Sequence, residues 1–375
     1  MAGSIEKRGK NKYRLTVSMG SGKNRKRYRR TVECKNKTQA SKELAKFVAE
    51  IEGNNFIEPS KITFEMFSQK WIEDYAKLNL SPKTVFNYQS MLECNIFPML
   101  GGMKLSEINP IHILGLYKCL KERELSDSYI MIHHILLKQL FESALGWKMI
   151  NENPLINVKP PKTQKKEASF YNKEEAQQLV KALKHEPVKY QAIILIAMMG
   201  GLRKGEVLGL RWEDVDFKNN LIHIKKATQY LPDKGTHEKP TKTPSSIRTI
   251  ALPQMIIDIL KEHEKNEKEK ERICAELWKG EGFVFTQKDG SLINPNIPTQ
   301  WFGRFLERNN LKKITFHELR HTGASLLRDS KKLTIEELSK WLGHSNVSTT
   351  MDIYVHPFKK TEEVAADAME EIFNE

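Results

Sequence analysis

The chain has 375 residues, with 61 Lys+Arg against 47 Asp+Glu and a formal net charge of +14. That length exceeds one ordinary core and predicts two or three domains, while a pI near 9.3 favours a polyanionic partner, nucleic acid first, over an acidic surface or a neutral small molecule. Cys34, Cys94, Cys119 and Cys274 form no CxxC pair, which argues against a zinc site and a disulfide scaffold; with no apolar leader and no long uncharged run, a soluble, cytoplasmic protein is expected.

From Ser4 to about Gly53 the sequence reads as short strands followed by a helix. Tyr13 to Val17 alternates as a strand does, Gly20-Ser21-Gly22 is a turn, and Lys26 to Val32 is a second strand. Thr38 is the expected cap of the helix, with Leu44, Phe47, Val48 and Ile51 as its apolar stripe. Lys23, Arg25, Lys26, Arg27, Arg29 and Arg30, interrupted by Tyr28, form the most basic stretch of the chain. A two-stranded ribbon can enter a DNA major groove, so these six are candidate DNA-binding residues; a solubilising hairpin is the alternative.

Residues 52–63 read as an irregular connection. Phe64 to Leu78, Pro82 to Met99, Pro110 to Glu124 and Ser126 to Lys148 then carry helical periodicity, with Trp71, Tyr75, Tyr88, Leu92, Ile96, Leu114, Leu116, Leu136, Leu140 and Phe141 as the expected core. Asn157 to Lys166 is polar, basic and proline-bearing, as an interdomain linker is. The predicted domains are therefore 1–56, 62–158 and 168–375, and the fold class is mainly α with small β elements (α+β).

The third domain opens with an N-cap at Asn172 and Glu175 three positions on. A buried helix from Gln191 breaks at Gly200-Gly201, just before Arg203; a surface pairing of Arg203 with Glu206 is the plain alternative to an inward-facing cation. Leu221 to Lys225 and Arg248 to Leu252 read as strands joined by a long polar segment containing Lys234, Lys239 and Lys242. A charged helix follows Pro253, with Lys261 to Arg272 expected as a solvated face. Phe283 to Phe285 and Trp301 to Leu306 return to core. Thr334 to Glu337 is a capping box, and Ser348 to Thr350 is expected to cap the helix bearing Tyr354.

The chemistry gathers near the end of the chain. His317, Arg320 and His321 fall at i, i+3 and i+4, so on a helix they share a face; Trp341-Leu342-Gly343-His344-Ser345 and Tyr354 follow. Arg offers a fork that matches two phosphate oxygens, and His can donate a hydrogen bond or move a proton near neutral pH. Two arginines, histidines, a lysine and a tyrosine without an acidic metal cluster point to metal-free phosphoryl transfer, in which fixed cationic donors stabilise charge gathering on the phosphate. No cofactor is expected. A tyrosine of unperturbed pKa about 10 needs such a site before it attacks.

On these residues the chain resembles a tyrosine recombinase of the phage and conjugative-transposon integrase family. The first arginine box is matched by Gly201-Leu202-Arg203-Lys204-Gly205-Glu206, the second by His317-Glu318-Leu319-Arg320-His321, and Leu342-Gly343-His344-Ser345 with Tyr354 completes the set. The resemblance implies an N-terminal β-sheet-plus-helix module for arm-type DNA sites, a helical, SAM-like core-binding domain and a catalytic domain. It implies that Tyr354 attacks the scissile phosphate to give a 3′-phosphotyrosine and a free 5′-hydroxyl. Arg203, Arg320 and His344 would hold the phosphate oxygens, His317 would assist proton movement, and Lys242, chosen over Lys239 and Lys234 by the Lys-Thr before the second strand, would be the general acid. His344 precedes Tyr354 by ten positions where many relatives have nine. The implied partners are double-stranded DNA at core and arm attachment sites, three further copies in a homotetramer, an excisionase and a host DNA-bending factor, in a bacterial cell at the nucleoid. A Xer-like cellular resolvase, a type IB topoisomerase and a non-enzymatic DNA-binding protein are the alternatives.

Overall fold

The computed structural model describes residues 2–19, 26–52, 61–163, 169–240 and 247–354. Lys23, Arg25, Lys242, the turn at Gly20 to Gly22, most of the connection before Phe64 and the tail from Thr361 to Phe373 lie outside the described residues, as do the side chains of Lys26, Ile51 and Tyr354. The chain divides into two compact units, Met1–Lys165 and Lys166–Glu375. Among the described residues, no helix is long and apolar enough to cross a membrane.

The first unit begins with a three-stranded antiparallel sheet of β1 (Ala2–Lys7), β2 (Lys12–Met19) and β3 (Lys26–Glu33), braced by α1 (Lys37–Glu52). Period-two alternation decides its faces: Tyr13, Leu15 and Val17 turn inward onto Phe47, while Arg14, Thr16 and Ser18 turn outward. The sequence reading found two of the three strands, because Ala2 to Lys7 has only Ile5 as a large apolar residue. Asn36, not Thr38, caps α1: its Oδ1 accepts the Gln39 N–H at 2.9 Å.

The helical module contains α2 (Phe64–Trp71), continued by a π-helical turn at Ile72–Ala76, then α3 (Pro82–Met91), continued as a π-helical stretch over Leu92–Gly101, α4 (Pro110–Glu122) and α5 (Asp127–Gly146). Eight of the ten expected core residues are buried; Tyr75 and Leu114 are exposed at 39% and 52%. Leu114 lies off the stripe that Ile113, Leu116, Tyr117 and Leu120 bury at helical spacing. Tyr75 lies on the π-helical turn, where the phase of the helix changes, and its ring lies 5.4 Å from that of Trp71. Two pairs of polar groups meet inside this core: Asn95 Nδ2 lies 3.0 Å from His133 Nε2 and Tyr117 Oη lies 2.7 Å from His134 Nδ1.

The second unit places α6 (Lys173–Leu183), with the expected Asn172–Glu175 capping box, beside α7 (Val188–Met199), which is buried continuously from Ala192 to Met198. A glycine break leads to the short α8 (Lys204–Leu208) and then to an antiparallel sheet of β4 (Val215–Asp216), β5 (Leu221–Ile224) and β8 (Arg248–Ala251). Between β5 and β8 the chain makes a separate hairpin, β6 (Lys226–Leu231) with β7 (Gly235–Pro240), where the sequence suggested only a polar connection. Helices follow at α9 (Gln254–Cys274), α10 (Asn296–Arg308), α11 (Phe316–Asp329), α12 (Ile335–Leu342) and α13 (Val347–Tyr354). The charged face expected on α9 is interrupted, since His263 and Glu267 are buried.

Candidate active site

Two glycine-broken turns assemble the site. Gly201, after α7, adopts φ +62°, and a Cβ there would come within 2.4 Å of the Trp341 ring; a side chain would be both strained and obstructed. Gly343 ends α12 in the left-handed conformation, with φ 65° and ψ 43°, and so turns the chain into His344.

Arg320, on α11, ties these turns together. It is 1% exposed, and its two terminal nitrogens donate to Gly201 O at 2.6 Å and Leu342 O at 2.7 Å. Arg320 is thus a buried cation bound to backbone. Arg203 precedes α8 and is half-buried. Its NH1 donates to Glu206 Oε1 at 2.8 Å, and its NH2 lies 3.4 Å from Gly343 O. The Glu206 pairing raised from sequence is therefore present, but Glu206 is itself buried, so the pair is an internal support and not a surface contact.

One residue passed over in the sequence reading completes this support. Arg248, at the start of β8, donates from NH2 to Glu206 Oε2 at 3.0 Å and from Nε to Trp341 O at 3.1 Å. Burial alone would push the Glu206 carboxyl up; the attraction and hydrogen bond of Arg248 and the hydrogen bonds of Arg203 outweigh it and hold the carboxyl below its usual range. The signal for Arg248 was available: in a strand it shares a face with Ile250 and Leu252, which pack in the core. Glu206 was named from sequence only as a surface partner of Arg203.

The histidines converge on the same cations. His317 and His321 meet edge to face with centroids 4.8 Å apart. Desolvation, then the charges of Arg320 and Arg203, lowers His317 from its usual value. Desolvation, then His317 and Arg320, pulls His321 down to about 4, and desolvation, then Arg320 and Arg203, does the same to His344. All three are neutral at pH 7 before an anion arrives. His344 Nδ1 lies 2.8 Å from Thr350 Oγ1, which fixes the ring and leaves Nε2 for a ligand. Thr350 thus orients His344; Asn346 instead sits at the start of α13, accepting the Ser348 N–H at 2.9 Å. The backbone of Tyr354 closes α13.

Strand pairing also sorts the N-terminal arginines. Arg27 and Arg29 line an open depression of about 410 Å³ with Ser4, Glu6, Arg8, Arg14, Thr16 and Ser18. Arg30 lies on the other face, with its guanidinium 4.5 Å from the centre of the Phe47 ring. Arg14, absent from the sequence-based set, belongs to the basic face; the alternation of Tyr13, Leu15 and Val17 signals it.

Among the described residues, no group of three or more His, Cys, Asp or Glu side chains is placed to hold a metal ion. What the site offers is a concentration of guanidinium charge beside neutral imidazoles, an arrangement that favours a phosphate gathering negative charge. The phage integrase family matches residues 169–361, and the phage integrase N-terminal SAM-like domain matches residues 63–120. A protein named Tyrosine recombinase XerC-like, from Caldanaerobacter subterraneus subsp. tengcongensis, is 29% identical over 98% of this chain and 98% of its own. Among solved structures, Tn1549 transposon integrase in complex with a circular intermediate DNA is similar with a TM-score of 0.71 at 20% identity, over 82% of this chain and 100% of that one. A lambda integrase tetramer bound to a Holliday junction gives a TM-score of 0.59 at 16% identity over 95% and 97%. With more than half of its length matched to the family and its arginines and histidines gathered on two adjoining turns, the chain belongs to the phage integrase family and is a tyrosine-type site-specific DNA recombinase.

Proposed function

We propose that this recombinase integrates and excises a mobile element by transferring DNA strands through Tyr354. The observation that carries the reading is the convergence of Arg203, Arg320 and His344 on the turns at Gly201 and Gly343. Arg203 and His344 are the accessible donors for the scissile phosphate. Arg320 supplies charge at close range, and its guanidinium, with five N–H donors, exchanges a carbonyl for a phosphate oxygen when DNA binds. His317 moves the tyrosine proton, and Lys242 protonates the leaving 5′-oxygen. The tyrosine oxygen forms a bond to phosphorus as the bond to the 5′-oxygen breaks, so the energy of the cut strand is kept in the phosphotyrosine and returned on rejoining.

In this reading residues 1–56 bind arm-type sites through Arg14, Arg27 and Arg29, with Lys23, Arg25 and Lys26 adding positive charge and Arg30 left to its contact with Phe47; residues 62–158 clasp the core site and 168–375 cut it. Four subunits act together, since each cuts one strand of two duplexes. A groove of about 730 Å³, lined among others by Ala176, Val180, Met198, Leu326, Leu327 and Trp341, suits an apolar segment of a neighbouring subunit, for which Val364, Ala365, Ala368 and Ile372 supply the side chains in sequence. An excisionase and a DNA-bending factor set direction. A cellular resolvase is the second reading, favoured by the name of the XerC-like relative.

Two experiments test this. On a nicked suicide DNA carrying the core site, the protein forms a denaturant-resistant complex without added Mg²⁺ and Tyr354→Phe forms none; a complex from the Phe variant would make another residue the nucleophile. In the full chain, Arg14→Ser, Arg27→Ser and Arg29→Ser together abolish the footprint on flanking repeats but not on the core, and reduce the salt slope by about 0.9 for each lost phosphate contact. Unchanged footprints and integration would favour the resolvase.

A further inference from the structure

We propose that Arg248 is a positioning residue for strand cleavage: it balances the Glu206 carboxylate that orients Arg203 and ties that pair to the turn carrying His344. The inference rests on the assignment of Arg203 and His344 to the scissile phosphate. Arg248 is held in place on three sides. Its side chain is 8% exposed, and Glu206, its partner at 3.0 Å, is 4% exposed. Its Nε donates to the Trp341 carbonyl at 3.1 Å, two residues before the Gly343 that turns the chain into His344. A Cβ on Gly343 would lie 3.0 Å from Arg248 NH1, so the guanidinium lies against the residue that precedes His344.

The charges explain why a third arginine is needed. Glu206 accepts Arg203 NH1 on Oε1 at 2.8 Å, and on Oε2 it accepts the Arg203 backbone N–H and Arg248 NH2, each at 3.0 Å. Arg203 and Glu206 alone would form a neutral pair with little to offer a phosphate. With Arg248 the array carries one net positive charge, and the carboxylate is fixed from both sides, so Arg203 keeps its orientation while its field still reaches an anion. A guanidinium suits this task because its planar fork can meet a carboxylate and a carbonyl at once.

The test is single-turnover cleavage of a nicked suicide DNA at saturating protein, with binding and melting temperature measured in parallel. Arg248→Met cleaves about ten- to a hundredfold more slowly while half-saturation stays within about twofold, the size typical of losing a supporting contact behind a reactive group. Adding Glu206→Gln removes the charge that Arg248 balances and speeds the Met variant by about fivefold or more; because a buried ion pair also couples in stability, rates are compared well below the melting temperature of every variant, where a purely structural role leaves single-turnover cleavage unchanged. Arg248→Met within twofold of the parent, or a double variant no faster than the single one, overturns the proposal. If Arg248→Met does not fold, Arg248→Lys is read instead: it keeps the cation and loses the fork, and cleavage within twofold of the parent again overturns the inference. Arg203→Ala is run alongside; if it also cleaves normally, the phosphate assignment itself has failed.

Discussion

Two pairs of histidines in this chain meet opposite fates. His133 and His134 on α5 are 0% and 8% exposed, and each finds a neutral partner in Asn95, the Tyr129 carbonyl or Tyr117. His317 and His321 on α11 stay nearer the surface, packed against each other beside Arg320 and Arg203. The first arrangement is closed, since each polar group is answered by another within the core. The second concentrates positive charge that a ligand can answer. Burying polar groups does not by itself make a site; leaving a charge for a partner does.

The sharpest way to break this comparison is Arg320→Ala. It orphans the buried carbonyls of Gly201 and Leu342, at about 1–3 kcal/mol each, and removes a transition-state cation worth about two to three orders of magnitude in rate. A lowered melting temperature together with slow cleavage of suicide DNA is expected. Normal cleavage would reduce Arg320 to a clamp, and unchanged stability would remove the clamp.

His133→Ala probes the closed pair. It strands the Asn95 amide and should cost about 1–3 kcal/mol in calorimetry, with single-turnover cleavage at saturating protein unchanged. A slower chemical step would mean the two units are coupled more closely than the comparison allows. A smaller effect is expected at Thr350→Val, which removes the partner of His344 Nδ1: cleavage falls by about two- to tenfold, the worth of one neutral hydrogen bond, and a normal rate would show that His344 needs no such support.

The mildest test is pH. His321 and His344 fall to about 4 in the folded chain, against about 6.5 unfolded, and burial lowers His133 and His134 in the same direction. Above pH 6.5 these groups are neutral in both states and their contribution is fully present. Below it the unfolded chain takes up protons that the fold resists, so stability falls between pH 6.5 and 4. Core-site DNA should recover the part due to His321 and His344, because a phosphate favours their protonated forms; it should not recover the part due to His133 and His134. Identical melting curves with and without DNA across that range would erase the distinction.

Much of this was legible from the chain alone. Helical periodicity located α2 to α5, and glycine and capping signals located α6, α7 and α12, because these features depend on neighbours within a few residues. The clustering of His317, Arg320 and His321 follows from spacing on one helix. Arg203 and His344 needed the motif as well as the chain, since the turns that carry them meet across 140 residues, from Arg203 to the Gly343 carbonyl. What only the tertiary structure decided are relations across elements: that Arg320 bridges the Gly201 and Leu342 carbonyls, that Arg248 and Arg203 share Glu206, that Thr350 holds His344, and that Arg30 turns to Phe47 while Arg14 joins Arg27 and Arg29. Local rules fix which face a side chain occupies, but the partner it meets there is set by packing between segments remote in sequence. A buried arginine, whose worth depends entirely on that partner, is therefore the residue that sequence describes least.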